Sequence, residues 1–225
     1  MKMKPLSAVL LGTLLMSAET HANVSFIKND TLSNAQVKEA ALYFNAAVNN
    51  QTVTWLLSAL AEIHDNYLNV DNVDIYLNSR GGDMDAAYVA YEALRKSPMK
   101  LSMINSAMTA SSATMIYCAS PERYTMPMSQ FVLHPAAATN EKTDYLRPDQ
   151  AKRILDEDEN YNSMFRKVYS SCVRLSDKEQ NDITWSESGT LVLKTDEASK
   201  RGLVTKGDKE SHSYLLTYYI TDSPG

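Results

Sequence analysis

Residues 73–94 read VDIYLNSRGGDMDAAYVAYEAL. Val73 to Leu77 is a short apolar run of strand length. It ends in Asn78-Ser79-Arg80-Gly81-Gly82. Ala86 to Leu94 then takes up helical spacing, and Pro98 closes the helix. A strand that turns through a glycine pair into a helix is the repeating unit of an α/β sheet. Glycines at such a corner allow backbone conformations that expose N–H groups to a ligand. Taken alone, the pair reads as a tight turn. It is neither GxGxxG nor a P-loop.

The alternation continues on both sides. Val24 to Ile27 reads as an edge strand. Asn50 to Ile63 carries Trp55, Leu56, Leu60 and Ile63 at helical spacing. After the corner, Leu101 to Ile104 is a strand, and Ala110 to Ala119, rich in small residues, is a helix. Tyr124 to Met126 and Phe131 to Leu133 are short strands. Pro148 to Cys172 predicts one long helix, with Ile154, Tyr161, Met164, Phe165, Val168 and Cys172 on an apolar face. Its front half contains Asp156-Glu157-Asp158-Glu159, read as a solvated face. Ser176 caps a further helix, with Glu179 at the capping-box position. Leu191 to Leu193 is a strand. Thr195 or Asp196 caps a last helix that ends at Gly202. Ser213 to Ile220 is a C-terminal strand. The pattern predicts one α/β domain with a mainly parallel sheet, whose ligands sit beyond the carboxyl ends of strands. Two corners lie there, Asn78–Gly82 and Asn105–Ser111.

Composition narrows the function. Of 225 residues, 44% are hydrophobic and 22% charged, as in ordinary globular proteins. The formal net charge is −5, and no basic run offers the counterion release that nucleic-acid binding requires. Cys118 and Cys172 are not in CxxC spacing, so no structural zinc site is expected. No metal or cofactor motif is present.

The first 22 residues read as a secretory signal peptide. Lys2 and Lys4 precede an apolar run from Pro5 to Ala18, and Thr20-His21-Ala22 supplies small residues at a cleavage site. The mature domain is then 23–225, exported to a periplasm or secreted. The run is short for a membrane span, and no other stretch could span. An oxidising compartment lets Cys118 and Cys172 pair. Their spacing carries no pairing signal, and two buried thiols is the expectation adopted over a disulfide.

Three segments could carry chemistry. Gly81-Gly82 is the first. The second is Ala107-Met108-Thr109-Ala110-Ser111-Ser112-Ala113, where a Ser at a helix start is either a nucleophile or a cap. The third is Phe131-Val132-Leu133-His134-Pro135, whose His134 is the best-placed general base.

Their order and spacing resemble the Clp protease proteolytic subunit. Asn78-Ser79-Arg80-Gly81-Gly82 is similar to its N-S-P-G-G corner, and the Ser111 segment to its G-x-A-A-S-M-G. Met126-Pro127-Met128-Ser129 to Leu133-His134-Pro135 resembles its L-P-N-S-R-x-M-I-H-Q-P. Glu197-Ala198-Ser199-Lys200-Arg201-Gly202-Leu203-Val204 resembles its E-A-x-x-x-G-L-V. The likeness runs from about Val24 to Thr205. It implies the Clp/crotonase-like ββα superhelix, and a serine endopeptidase acting on peptides or unfolded proteins. Ser111 would be the nucleophile and His134 its base. The N–H groups of Gly82 and Ser112 would form the oxyanion hole. The Pro148–Cys172 helix would be the handle that joins stacked homo-oligomeric rings. An exported chain meets no ATP, so an ATPase partner is not expected. The acid of the triad is not matched: the alignment puts Thr190 there, with Glu187 or Asp182 as substitutes. That mismatch motivates a second reading, a weak or silent member acting as a binding or assembly module. A crotonase-type acyl-CoA enzyme would leave the Ser/His pair unexplained, and a Ser/Lys dyad would need a suitably placed Lys.

Overall fold

The computed structural model describes residues 23–28, 33–138, 145–210 and 213–222. The signal peptide expected at 1–22 lies outside the described residues. In chain order the elements are β1 (Asn23–Lys28), β2 (Glu39–Asn45), α1 (Asn50–Asn66), β3 (Asn72–Ser79), α2 (Met84–Arg95), β4 (Lys100–Ala110) and α3 (Ala113–Tyr117). There follow β5 (Glu122–Thr125), β6 (Gln130–Leu133), α4 (Pro148–Cys172), α5 (Asp177–Ile183), β7 (Leu191–Lys194), α6 (Thr195–Lys200), β8 (Gly207–Asp208) and β9 (Leu216–Thr221).

The strands form one sheet in the order β1-β9-β2-β3-β4-β5-β8, with β6 pairing β4 and β7. Only the β1/β9 and β6/β7 pairs are antiparallel. The expected α/β class with a mainly parallel sheet is what the chain adopts. Alternate residues of the central strands serve two faces, as the period of a strand requires. Leu42, Phe44, Ile75, Leu77 and Met103 join the main core with Leu56, Ile63, Ala87 and Ala90 of the helices. On the other face, Ala41, Tyr76 and Ile104 pack with Tyr43, Tyr124 and Tyr214.

Several boundaries differ from the reading of the sequence. The strand β2 is absent from it. Ala40, Ala41, Leu42 and Phe44 are fully buried, and the strand pairs parallel to both β3 and β9. The strand expected over Leu101–Ile104 continues to Ala110, so the corner read at Asn105–Ser111 is strand as far as Ala110 and turns only at Ser111. Asn105 Nδ2 donates to Gln130 O at 2.9 Å, and Ser106 Oγ to Leu77 O at 2.9 Å, which fastens polar residues into the sheet. β4 meanwhile changes partner, from β5 over Ser102–Asn105 to β6 over Met108–Ala110. The helix expected over Ala110–Ala119 shortens to α3 because Ser111 has a φ of +53°, incompatible with a helix turn. The residue capping α6 is Lys194, and neither Thr195 nor Asp196 holds that position.

α4 has the predicted bounds. Its C-terminal half buries Asn162, Phe165, Val168, Tyr169 and Cys172 in this domain's own core. Its N-terminal half stands out, with Leu155 67% exposed. The acidic run there is partnered as well as solvated. Asp156 pairs with Lys152 and Glu159 with Arg166. Asp158 accepts from Ala138 N, and Tyr161 Oη donates to Asp85 at 3.1 Å and more weakly to Glu157 at 3.4 Å.

The two cysteines are bonded, which overturns the expectation of free thiols. Cys118 and Cys172 form a disulfide with their Cα atoms 5.7 Å apart, within bridging range. Packing of α3 against the end of α4 brings them together across 54 positions of sequence. Arg123 reinforces the same junction. Its buried guanidinium donates to the carbonyls of Leu203, Ser120, Cys172 and Gly202.

Candidate active site

The glycine corner and the serine corner are in contact. Gly81 and Gly82 have φ of +92° and +149°, conformations that side chains rarely allow. A Cβ at Gly81 would lie 2.6 Å from Ser111 Cβ and 2.8 Å from Ala110 O. A Cβ at Gly82 would lie 2.2 Å from Val48 O. The backbone after β2 holds the pair in place: Val48 N donates to Gly81 O at 2.9 Å, and Asp83 N to Val48 O at 2.8 Å. Gly81 N–H is taken up by Ser79 Oγ at 3.2 Å. The N–H groups of Gly82 and Ser112 have no acceptor among the described residues. Two such donors beside a serine can receive the charge of a carbonyl oxygen under attack.

Ser111 is the one non-glycine residue with positive φ among the described residues. That conformation costs about 1–3 kcal/mol and persists only where the surroundings impose it. Ser111 N donates to Val132 O at 2.9 Å, and Ser111 O accepts from Thr114 N at 2.9 Å and from Thr114 Oγ1 at 2.6 Å. The neighbouring serine is differently placed. Ser112 is fully buried, and its Oγ donates to Gly82 O at 3.2 Å. Ser111 keeps partial exposure.

β6 pairs with β4 through Ala110↔Val132, so His134, just past β6, emerges at the same end of the sheet as Ser111. Its Nδ1 is buried without a hydrogen-bond partner among the described residues. The nearest carboxylate is that of Glu187, with Oε1 3.6 Å from Nδ1, beyond a good hydrogen bond. Thr190 Oγ1 lies 3.4 Å from Glu187 Oε2. β6 and β7 pair at Leu133↔Leu191, which puts Thr190 across from His134 in register. Glu187 thus stands beside the imidazole, and Thr190 reaches it through Glu187. Asp182 does not: its carboxylate engages Lys178 at 2.5 Å, and only its carbonyl serves the loop, accepting from Trp185 N and Ser186 N.

The loop carrying Glu187 lies between α5 and β7. Arg201 ties α5 to α6 through Glu179 at 2.8 Å and Glu197 at 2.8 Å. The Arg201 guanidinium, helped by the Ser176 backbone and hydroxyl, holds the Glu179 carboxyl down at about 2. Among the described residues no group of His, Cys, Asp and Glu is placed to hold a metal ion, and no helix is long and apolar enough to cross a membrane.

Three contributors escape the reading of the sequence. Val48 clamps the glycine pair, Thr114 bonds to the Ser111 carbonyl, and Tyr169 bonds to Thr114. Val48 follows the overlooked β2. Thr114 looks like any helical threonine until its partner is known.

A mainly parallel sheet brings a serine, a histidine and two N–H groups without acceptors among the described residues to one end, the parts that acyl transfer would need. The profile of the Clp protease family, described as "Clp protease", matches residues 26–207, and the chain belongs to that family. The ATP-dependent Clp protease proteolytic subunit 3 of Rhizobium johnstonii is 26% identical over 175 residues, covering 75% of this chain and 84% of that one. The ATP-dependent Clp protease proteolytic subunit 2 of Pseudomonas aeruginosa is 34% identical over 80 residues, 35% of this chain and 37% of that one. The solved structure of ClpP1 from Listeria monocytogenes matches with a TM-score of 0.59 at 18% identity, covering 76% of this chain and 92% of that one. That last likeness is one of fold.

Proposed function

We propose that this chain is an exported serine endopeptidase that cleaves peptides or unfolded proteins without ATP. Ser111 Oγ attacks the scissile carbonyl while His134 takes its proton. The N–H groups of Gly82 and Ser112 receive the oxyanion. Collapse of the tetrahedral species breaks the C–N bond, and the leaving amine takes the proton from His134. Water, deprotonated by His134, then hydrolyses the Ser111 ester and restores the hydroxyl. The observation that carries this reading is the strained Ser111 packed against a glycine pair, beside two N–H donors without acceptors.

The test is a fluorophosphonate probe on the purified chain, followed by mapping of the adduct. One adduct on Ser111 is expected. An adduct on Ser112, or none at all, sinks the reading. A silent binding or assembly module is the second reading, favoured by one observation: the orphaned Nδ1 of His134.

Glu187, whose Oε1 lies 3.6 Å from His134 Nδ1, is the carboxylate that would orient the imidazole on closing that gap, with Thr190 beside it. Its side chain is 77% exposed, so solvent screens the pair. Glu187→Gln is therefore expected to lower kcat/KM by no more than about tenfold, against roughly 10⁴ where a buried acid is lost. Steady-state kinetics on a fluorogenic peptide checks this, and a hundredfold fall would refute it.

Export is supported by the N-terminal pattern of Lys2, Lys4 and an apolar run, and by the Cys118–Cys172 disulfide, which suits an oxidising compartment. The assembly is a homo-oligomer, with rings as its leading form. Phe165 belongs to this domain's core, so the exposed Leu155 on the projecting half of α4 is the residue that reports on subunit contact. Leu155→Asp is expected to lower the mass seen by light scattering while the helical circular dichroism is kept. A wild-type mass of one chain at micromolar concentration excludes the ring.

A further inference from the structure

We propose that Tyr169 and Thr114 are positioning residues for the reaction, forming a buried relay from α4 that holds Ser111 in its attacking conformation. The proposal rests on Ser111 being the nucleophile. Thr114 is fully buried and Tyr169 nearly so. Thr114 Oγ1 stands 2.6 Å from Ser111 O and 2.8 Å from Tyr169 Oη. A hydroxyl has one proton to give. The Ser111 carbonyl is an acceptor only, and at 2.6 Å it must receive that proton. Tyr169 is therefore the donor to Thr114. Burial raises the Tyr169 phenol above its ordinary pKa, so it stays a neutral donor across the neutral range. The order is Tyr169 O–H to Thr114 O–H to Ser111 C=O.

A threonine often returns its hydroxyl to a carbonyl one turn back, with no consequence beyond local packing. Here three features go further. The carbonyl belongs to the residue with the left-handed φ. The hydroxyl of Ser112, which flanks that residue and caps α3, is directed to Gly82 O and does not support the turn. The second bond of Thr114 comes from a different helix, 55 residues away in sequence. A donor from a rigid helix polarises the first hydroxyl and fixes its direction. The plane of the Ser111–Ser112 peptide, and with it the aim of Ser112 N–H, is thus set from α4. A small error in such aim is costly to the reaction.

The test compares Thr114→Val, Thr114→Ser and Tyr169→Phe with the wild type, in the rate of fluorophosphonate labelling and in peptide kcat and KM. Valine keeps the shape of threonine and loses the hydroxyl; serine keeps the hydroxyl and loses the methyl. A packing role makes serine the more damaging change, and a positioning role makes it valine. Thr114→Val is expected to slow labelling and kcat between about tenfold and a hundredfold with KM unchanged. Thr114→Ser should restore most of the rate, and Tyr169→Phe should fall between them. Wild-type rates in Thr114→Val, or equal losses in the serine and valine variants, overturn the proposal. If Thr114→Val does not fold, Tyr169→Phe carries the test, and an unchanged rate there overturns it. A wild type that forms no adduct on Ser111 overturns the reading of the site and the relay with it. An adduct that forms equally fast in all variants overturns the relay alone.

Discussion

Ser111→Ala is expected to abolish fluorophosphonate labelling and to lower peptidase turnover by on the order of 10⁴- to 10⁶-fold, with the fold intact. The hydroxyl is the only group removed. The bonds that hold residue 111 in place run through its N–H to Val132 and its C=O to Thr114, so alanine inherits them. Ser112→Ala is the control. It removes the bond from Ser112 Oγ to Gly82 O, worth about 1 kcal/mol, and leaves its backbone N–H in place. Partial activity and full labelling should remain. Chemical denaturation of both variants separates stability from chemistry. Labelling that survives in Ser111→Ala and disappears in Ser112→Ala would reverse the assignment.

The largest effect on stability is expected from the disulfide. Cys118 and Cys172 close a loop spanning 54 positions. The chain-entropy relation gives about 4 kcal/mol for a loop of this length, lost when the bond is removed. The bond also joins the end of α3 to the end of α4, where Arg123 donates to the Cys172 carbonyl at 3.3 Å. Without the bond this junction rests on packing and on that guanidinium. The double variant Cys118→Ala/Cys172→Ala should lose about 4 kcal/mol in urea unfolding, and its Tm should fall by about 10 °C. A midpoint equal to that of the oxidised wild type would show that the bond contributes nothing.

Legibility in the sequence followed the strength of local signals. α4 keeps the bounds read from the sequence because Pro148 sits at its first turn and Tyr161, Met164, Phe165, Val168 and Cys172 carry the apolar face to its end. α5 announces itself through Ser176, whose hydroxyl accepts from Glu179 N, and Glu179, whose carboxylate accepts from Ser176 N. β2 gives no such notice. It opens on Glu39 and two alanines, which suit a helix as well as a strand, and its identity comes from pairing with β3 and β9. The order of glycine pair, serine and histidine is readable because each follows a strand. The third member is not readable. Glu187 reaches the imidazole from a short turn, and Thr190 by a register that only the β6/β7 pairing defines. The disulfide is invisible for the same reason: two distant cysteines meet because helices pack.

The place of β9 has a consequence for how the chain comes into being. β9 lies between β1 and β2 and pairs with both. A chain made from its N-terminus leaves β1 with no strand to join and one edge of β2 bare until the last strand has been synthesised. Such delayed, long-range pairing is slow and leaves apolar edges open in the meantime. A nascent chain of this topology stays unfinished until β9 emerges, so its open edges have to be shielded from neighbouring chains.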